Sequence, residues 1–187
     1  MKNEAVREAI VAAATKEFTE NGYVNTTINQ IARSAGTSPS NVYVYFASKV
    51  EIAIAVYEPW YRDRIHKLGI KVARSRSPER RVEILIDGLF RDIANQGYTV
   101  ILVQALATAG PSDQYRPDLL KWTEKQIARM LRVIDPESGW TDAQADALAH
   151  MLVLVFDGLA VRKNLNQPIE DSEAGLILLA HMLIRKG

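Results

Sequence analysis

The chain has 187 residues, of which 48% are hydrophobic, and it carries a formal net charge of +1. That is enough apolar material for a folded core, and the absence of cysteine excludes disulfides, thiol catalysis and cysteine metal sites. No apolar run approaches the roughly 18 residues of a membrane helix, and the N-terminus is charged, so we expect a soluble cytoplasmic protein without a membrane segment.

The charge is unevenly distributed. Residues 1–76 hold 11 Lys and Arg against 7 Asp and Glu, a balance of +4, whereas residues 77–187 hold 12 against 15, a balance of −3. A mildly basic first part suits a polyanion partner, but ordinary scatter of surface charge explains it equally well.

Apolar residues at spacings of three and four predict helices from the first residues onward. The first predicted helix covers residues 2–21 and ends at Gly22, a favourable residue for a helix end. Thr27 can cap a second, short helix. Ser38 can cap a third, with Pro39 at its first position, that runs to about residue 46.

The rest of the chain is also predicted to be helical, because no segment alternates as a strand would. Pro59 lies inside the fourth helix and predicts either a kink near Tyr57 or a break with Pro59 starting a new helix. The stretch RSRSPER is the clearest linker. The fold class is therefore all-α with about nine helices, the later ones predicted at 48–72, 78–96, 98–109, 117–134, 141–165 and 172–185.

Two short helices joined by a glycine-containing turn, after a longer helix that can brace them, match a helix-turn-helix. The second short helix lies within AGTSPSNVYVYFASK, residues 35–49, which combines hydroxyls, rings and one lysine. Its Val42 and Phe46 can turn inward while Tyr43 and Tyr45 extend hydroxyls. This pattern alone does not separate a DNA reader from two capped helices that merely pack together.

The longer stretch AAATKEFTENGYVNTTINQIARSAGTSPSNVYVYFASKVEI, residues 12–52, resembles the tetracycline-repressor (TetR) family of bacterial transcription regulators. The resemblance implies a helix-turn-helix DNA-binding domain at residues 1–48 and an effector-binding and dimerisation domain at residues 49–187. It also implies a homodimer built largely from the last two helices. The apolar stretches ALAHMLVLVFDGLAV and AGLILLAHMLI agree with such burial on more than one side.

The resemblance assigns DNA contacts by position. Base edges would be met by Pro39, Ser40, Asn41, Val44 and Tyr45, where Asn41 can pair with adenine and Val44 can meet a thymine methyl. Ser40 and Val44 depart from frequent family choices, so no operator sequence is inferred. Phosphate and charge contacts would come from Thr27, Arg33, Thr37, Ser38, Tyr43 and Lys49.

A ligand pocket in the larger helical part would be mostly apolar with a few polar groups. We expect an apolar or aromatic effector rather than a polyanion. His150 and Asp157, seven residues apart on one helix, could pair or touch an effector. The predicted ligand-binding residues are Trp60, Tyr61, Phe90, Tyr98, Leu102, Trp122, His150 and Asp157.

The main hypothesis is a ligand-responsive transcriptional regulator, a repressor released from its operator by a small molecule. It predicts no catalytic residue, metal site or cofactor, since no metalloprotease, phosphate-loop or nucleophile-elbow motif occurs. One alternative is a helical small-molecule binder whose DNA binding is vestigial. Another is a helical enzyme that uses His150 and Asp157.

Overall fold

A computed structural model describes residues 3–110, 118–134 and 141–164, together with Gly175 and Leu178. The described residues form helices and no strand, which confirms the all-α class. The helices are α1 (Glu4–Asn25), α2 (Ile28–Ser34), α3 (Pro39–Tyr45), α4 (Lys49–Arg74), α5 (Pro78–Ile86), α6 (Gly97–Ala107), α7 (Asp118–Ile134) and α8 (Asp142–Asn164). The helix predicted at 172–185 lies outside the described ranges.

Local signals explain most of these boundaries. Asn3, Thr27, Ser38 and Ser77 each cap a helix by accepting a backbone N–H with the side chain. Gly22 has φ 76° and ψ 157°, so the regular part of α1 stops there, as predicted, and only a short turn follows.

Helix α4 continues through Pro59 without a break, so the alternative in which Pro59 starts a new helix is wrong. Pro59 is exposed. Water can therefore reach the carbonyl one turn earlier that has lost its N–H partner, which makes the interruption tolerable.

The chain divides into two compact units. The first contains residues 1–60 and 97–116, and its core gathers buried residues of α1, α2, α3, early α4 and α6 around Phe18, Ile31 and Ile52. The Tyr23 hydroxyl also lies 3.3 Å from Oγ1 of Thr108, the residue that follows α6. The domain boundary predicted after residue 48 stays a prediction.

The second unit contains residues 61–96 and 117–187. Here α7 packs along α8, and Arg81 of α5 donates to the carbonyl of Val133 (2.7 Å) at the end of α7 and to that of Ser75 (2.9 Å). After α5 the chain stays helical as a π-helical segment, Asp87–Asp92, and one 3₁₀ turn, Ile93–Asn95. The predicted helix 78–96 is thus a single helical run with a widened middle.

Helix α8 carries one further property. Residues Asp142–Lys163 are long and apolar enough, by length and composition, to span a membrane, and 33% of the most apolar window is buried. The same test is passed by core helices of soluble proteins. Several large apolar side chains of α8 are exposed, namely Met151, Leu154, Val155 and Val161.

Candidate nucleic-acid interface

Helix α2 begins with a complete capping box. The Thr27 hydroxyl accepts the N–H of Gln30 at 3.3 Å, and the Gln30 side-chain oxygen accepts the N–H of Thr27 at 2.8 Å. Two otherwise unpaired N–H groups are satisfied reciprocally, so this seven-residue helix starts at a defined position.

The turn between α2 and α3 is a Schellman motif. The N–H of Gly36 bonds to the carbonyl of Arg33 at 3.2 Å, and the N–H of Thr37 bonds to that of Ala32 at 2.9 Å. Gly36 has φ +66°, a left-handed conformation that favours glycine. Ser38 then caps α3 by accepting the N–H of Asn41 at 3.2 Å, so the angle between the two short helices is set by hydrogen-bonded caps.

Helix α3 buries one side and exposes the other. Val42 and Phe46 are almost fully buried in the core of the first unit, beside Ile31 of α2. On the outer side, Tyr43 and Val44 are 56% and 52% exposed. Large exposed side chains on a short helix that is anchored in the core can contact DNA, as a recognition helix must.

The predicted DNA-contacting residues lie mainly on this outer side. Thr37, Asn41, Tyr45 and Lys49 are only partly buried. The exposed members of the set are Thr27, Arg33, Ser38, Pro39, Ser40, Tyr43 and Val44.

Three of the predicted base-reading side chains already have partners within the protein, and one of them is Ser40, whose hydroxyl lies 2.9 Å from that of Ser38. The Asn41 amide donates to Thr37 Oγ1 at 2.7 Å, and the Tyr45 hydroxyl accepts the N–H of Asn3 at 3.2 Å. After this bond the Asn41 side chain retains one N–H and its oxygen, which are the two groups that pair with adenine. The assignment of base contacts stays a prediction.

Lys49 also has protein partners. Its ammonium donates to the carbonyls of Tyr23 (2.9 Å) and Thr26 (2.8 Å) and lies 4.2 Å from the centre of the Tyr23 ring. Burial lowers the pKa of Lys49. Two of its three N–H groups therefore close the end of α1, and one remains for the predicted phosphate contact.

Comparisons with known proteins agree with this geometry. Residues 10–56 match the family model described as bacterial regulatory proteins, tetR family. These residues span α1 to early α4 and include the whole helix-turn-helix. The N-terminal, helix-turn-helix part of this chain belongs to the TetR family.

Relatives of this chain match along most of its length. The HTH-type transcriptional regulator BetI of Rhizobium meliloti (strain 1021) is 27% identical over 176 residues, which cover 92% of this chain and 84% of BetI. The structure of a TetR transcriptional regulator from Rhodococcus sp. RHA1 superposes with a TM-score of 0.66 at 20% identity and covers 98% of both chains.

A second solved structure with the same fold is the transcriptional regulator FadR from Bacillus subtilis in complex with stearoyl-CoA. It superposes with a TM-score of 0.61 at 18% identity, covering 95% of each chain. At these identities the structural likeness establishes the fold of the chain and nothing more specific.

The residues predicted to bind an effector separate into local groups. In the first unit, the rings of Trp60 and Tyr98 stack with centroids 5.3 Å apart, and Leu102 is partly buried on the same helix as Tyr98. In the second unit, Tyr61 meets Trp122 edge-on at 6.5 Å.

The remaining predicted ligand residues also lie in the second unit. The Phe90 and Phe156 rings lie 6.5 Å apart, and both residues are buried. His150 Nδ1 lies 2.6 Å from Glu124 Oε1. Asp157 keeps part of its surface exposed, and desolvation by burial of the rest raises its pKa to about 6.

A large groove in the second unit is lined by a different set of residues. It has a volume of about 980 Å³ and lies between the second part of α4 and the α5–π run. None of the predicted ligand residues lines it. A signal was available in the sequence, because Arg64, Lys67, Lys71 and Arg74 recur at spacings of three and four and so share one side of a helix.

Proposed function

We propose that this TetR-family regulator is a homodimeric repressor that binds operator DNA through α3 and leaves it when a small molecule binds the helical second part. The observation that supports this most strongly is α3 itself. Its inner residues are fixed in a core and its caps are satisfied, while Ser40, Tyr43 and Val44 remain exposed for contact with a major groove.

Exposed apolar side chains on α8 support the homodimer. Met151 and Leu154 are 55% and 51% exposed, and an apolar surface of this kind favours association with another protein. A second copy related by twofold symmetry would place two recognition helices on successive turns of DNA, about 34–36 Å apart. We place the protein in the cytoplasm, where its operator would be.

The complex of Bacillus subtilis FadR with stearoyl-CoA supports response to a small molecule, since that regulator shares this fold. We further propose that the chain has no catalytic activity. His150 supports this, because its ring is held by Glu124 at 2.6 Å rather than by Asp157, as the enzyme hypothesis would need.

The test is a DNA selection on the purified protein, followed by fluorescence anisotropy on the selected duplex and on scrambled DNA. Tyr43→Ala is expected to weaken binding to every duplex alike, whereas Asn41→Ala should change the preferred sequence. Lys125→Ala, an exposed substitution on α7, serves as the matched control. Selection of no consensus, with equal and weak binding to all duplexes, would favour a small-molecule binder with vestigial DNA binding.

A further inference from the structure

The groove between α4 and the α5–π run has a strongly basic rim. Six of its lining side chains are cationic, while only Asp87 and Asp92 are acidic. The six cations are Arg64, Lys67, Lys71, Arg74, Arg80 and Arg91. A basic concavity of this kind concentrates anions at its mouth.

Some of the cations are already neutralised. Lys67 pairs with Asp63 at 2.6 Å and Arg91 pairs with Asp87 at 2.5 Å. For Lys71 and Arg74, by contrast, no carboxylate of the described residues lies within 4.0 Å, and neither side chain donates a hydrogen bond there. Two uncompensated positive charges, three residues apart, thus occupy neighbouring positions on one side of α4.

The floor of the groove is apolar. Leu68 and Ile93 are 5% and 1% exposed, and Ile84 is partly buried beside them. The π-helical segment Asp87–Asp92 forms one wall, and π segments occur frequently at functional sites. Gly88 allows this wall to approach α4 closely, since a Cβ there would lie 2.3 Å from Leu68 Cδ1.

We propose that this groove binds an amphipathic anion, with a phosphate or carboxylate headgroup between Lys71 and Arg74 and an alkyl tail over Leu68, Ile84 and Ile93. The unpaired cations attract the headgroup. Placing the alkyl tail against the apolar floor removes apolar surface from water, which favours binding. The volume of about 980 Å³ lies at the upper end of the range for small-molecule sites. The proposal rests on the proposed function for its regulatory meaning, and it replaces the purely apolar or aromatic effector expected from sequence.

The dependence of affinity on the length of the alkyl tail provides the first test. Octyl, decyl and dodecyl phosphate, each below its micellar concentration, are titrated into the full chain by calorimetry without DNA. Each methylene that enters the groove should raise affinity about fourfold, because burying one is worth about 0.8 kcal/mol. Equal affinities for all three compounds would overturn the tail assignment.

Headgroup dependence provides the second test. Dodecanoate and dodecyl phosphate should both bind. Whichever of the two binds more tightly identifies the preferred headgroup, carboxylate or phosphate. Dodecanol and dodecyltrimethylammonium should bind at least about tenfold more weakly, as expected for loss of a charge-assisted hydrogen bond. Equal binding of the cationic amphiphile would overturn the proposal.

The double variant Lys71→Ala/Arg74→Ala should lose about tenfold or more in affinity for dodecyl phosphate. Its matched control is Lys121→Ala/Lys125→Ala, which removes two exposed lysines from α7, outside the groove. Unchanged binding by the first variant, or an equal loss in the control, would contradict the headgroup site. The alkyl series on the unmodified protein tests the proposal even if a variant folds poorly.

Regulation is measured separately, by adding dodecyl phosphate to the complex with the selected DNA. Release of DNA from the unmodified protein but not from Lys71→Ala/Arg74→Ala is the expected result. If the amphiphile binds in the absence of DNA but never affects the complex with DNA, the groove is confirmed as a binding site and its proposed regulatory role is wrong. If Lys71→Ala/Arg74→Ala itself loses affinity for every duplex, the groove is instead a nucleic-acid surface and the proposal is wrong.

Discussion

Replacing Lys49 with methionine separates its two candidate roles. The substitution keeps most of the apolar stem and removes the ammonium, which donates to the carbonyls of Tyr23 (2.9 Å) and Thr26 (2.8 Å). It also removes the cation from the face of the Tyr23 ring, 4.2 Å from the ring centre.

The expected cost follows from these contacts. A hydrogen bond from a charged donor contributes about 1.5–3 kcal/mol, and Lys49 is only partly buried, so the lower end of that range applies to each bond. A cation over an aromatic ring adds about 0.5–1 kcal/mol. We therefore expect Lys49→Met to lower the free energy of unfolding by about 3.5–4 kcal/mol, or the melting temperature by about 7–16 °C.

The assay is urea unfolding followed by circular dichroism, with Lys16→Met as the matched control. Lys16 is an exposed lysine of α1 that makes no hydrogen bond or ion pair with the described residues. Its substitution should change the free energy of unfolding by less than about 0.5 kcal/mol. Equal stabilities of Lys49→Met and Lys16→Met would refute the structural role assigned to Lys49.

DNA binding tests the other role of Lys49 in the same variant. A phosphate contact through the third N–H would appear as a loss of about 0.9 per subunit in the slope of log affinity against log salt concentration. An unchanged slope together with lower stability would mean that Lys49 serves the fold and not the DNA.

Three further substitutions test other parts of the structure. Thr27→Ala should cost about 1 kcal/mol in urea unfolding, because it removes the Thr27 side of the capping box with Gln30. Gly88→Ala should cost about 1–3 kcal/mol, since its Cβ would meet Leu68 Cδ1 at 2.3 Å, and the cost should shrink in a Leu68→Ala background. The pKa of Asp157 is raised to about 6 from 3.8, so the folded state holds its proton more tightly and loses stability as the pH rises from about 4 to 6. Asp157→Asn should therefore melt above the unmodified protein at pH 7.5, and this difference should vanish near pH 4.

Helix boundaries and the helix-turn-helix were predictable because their causes lie close together in the chain. Thr27, Gly36 and Ser38 act on backbone groups within four residues, and the inward positions of Val42 and Phe46 follow from helical spacing. These local signals lie within the 47-residue segment that matches the family model.

Local sequence signals do not predict three features of the structure. These are the direction of the Lys49 side chain, the partner of His150 and the basic groove. Lys49 meets carbonyls 23 and 26 residues away, and His150 meets Glu124 from 26 residues away. Such pairings depend on which helices lie side by side, and spacing along a single helix does not contain that information. The sequence showed that α4 carries a row of cations. Its packing against Gly88 and the π-helical segment is what turns that row into the rim of a groove.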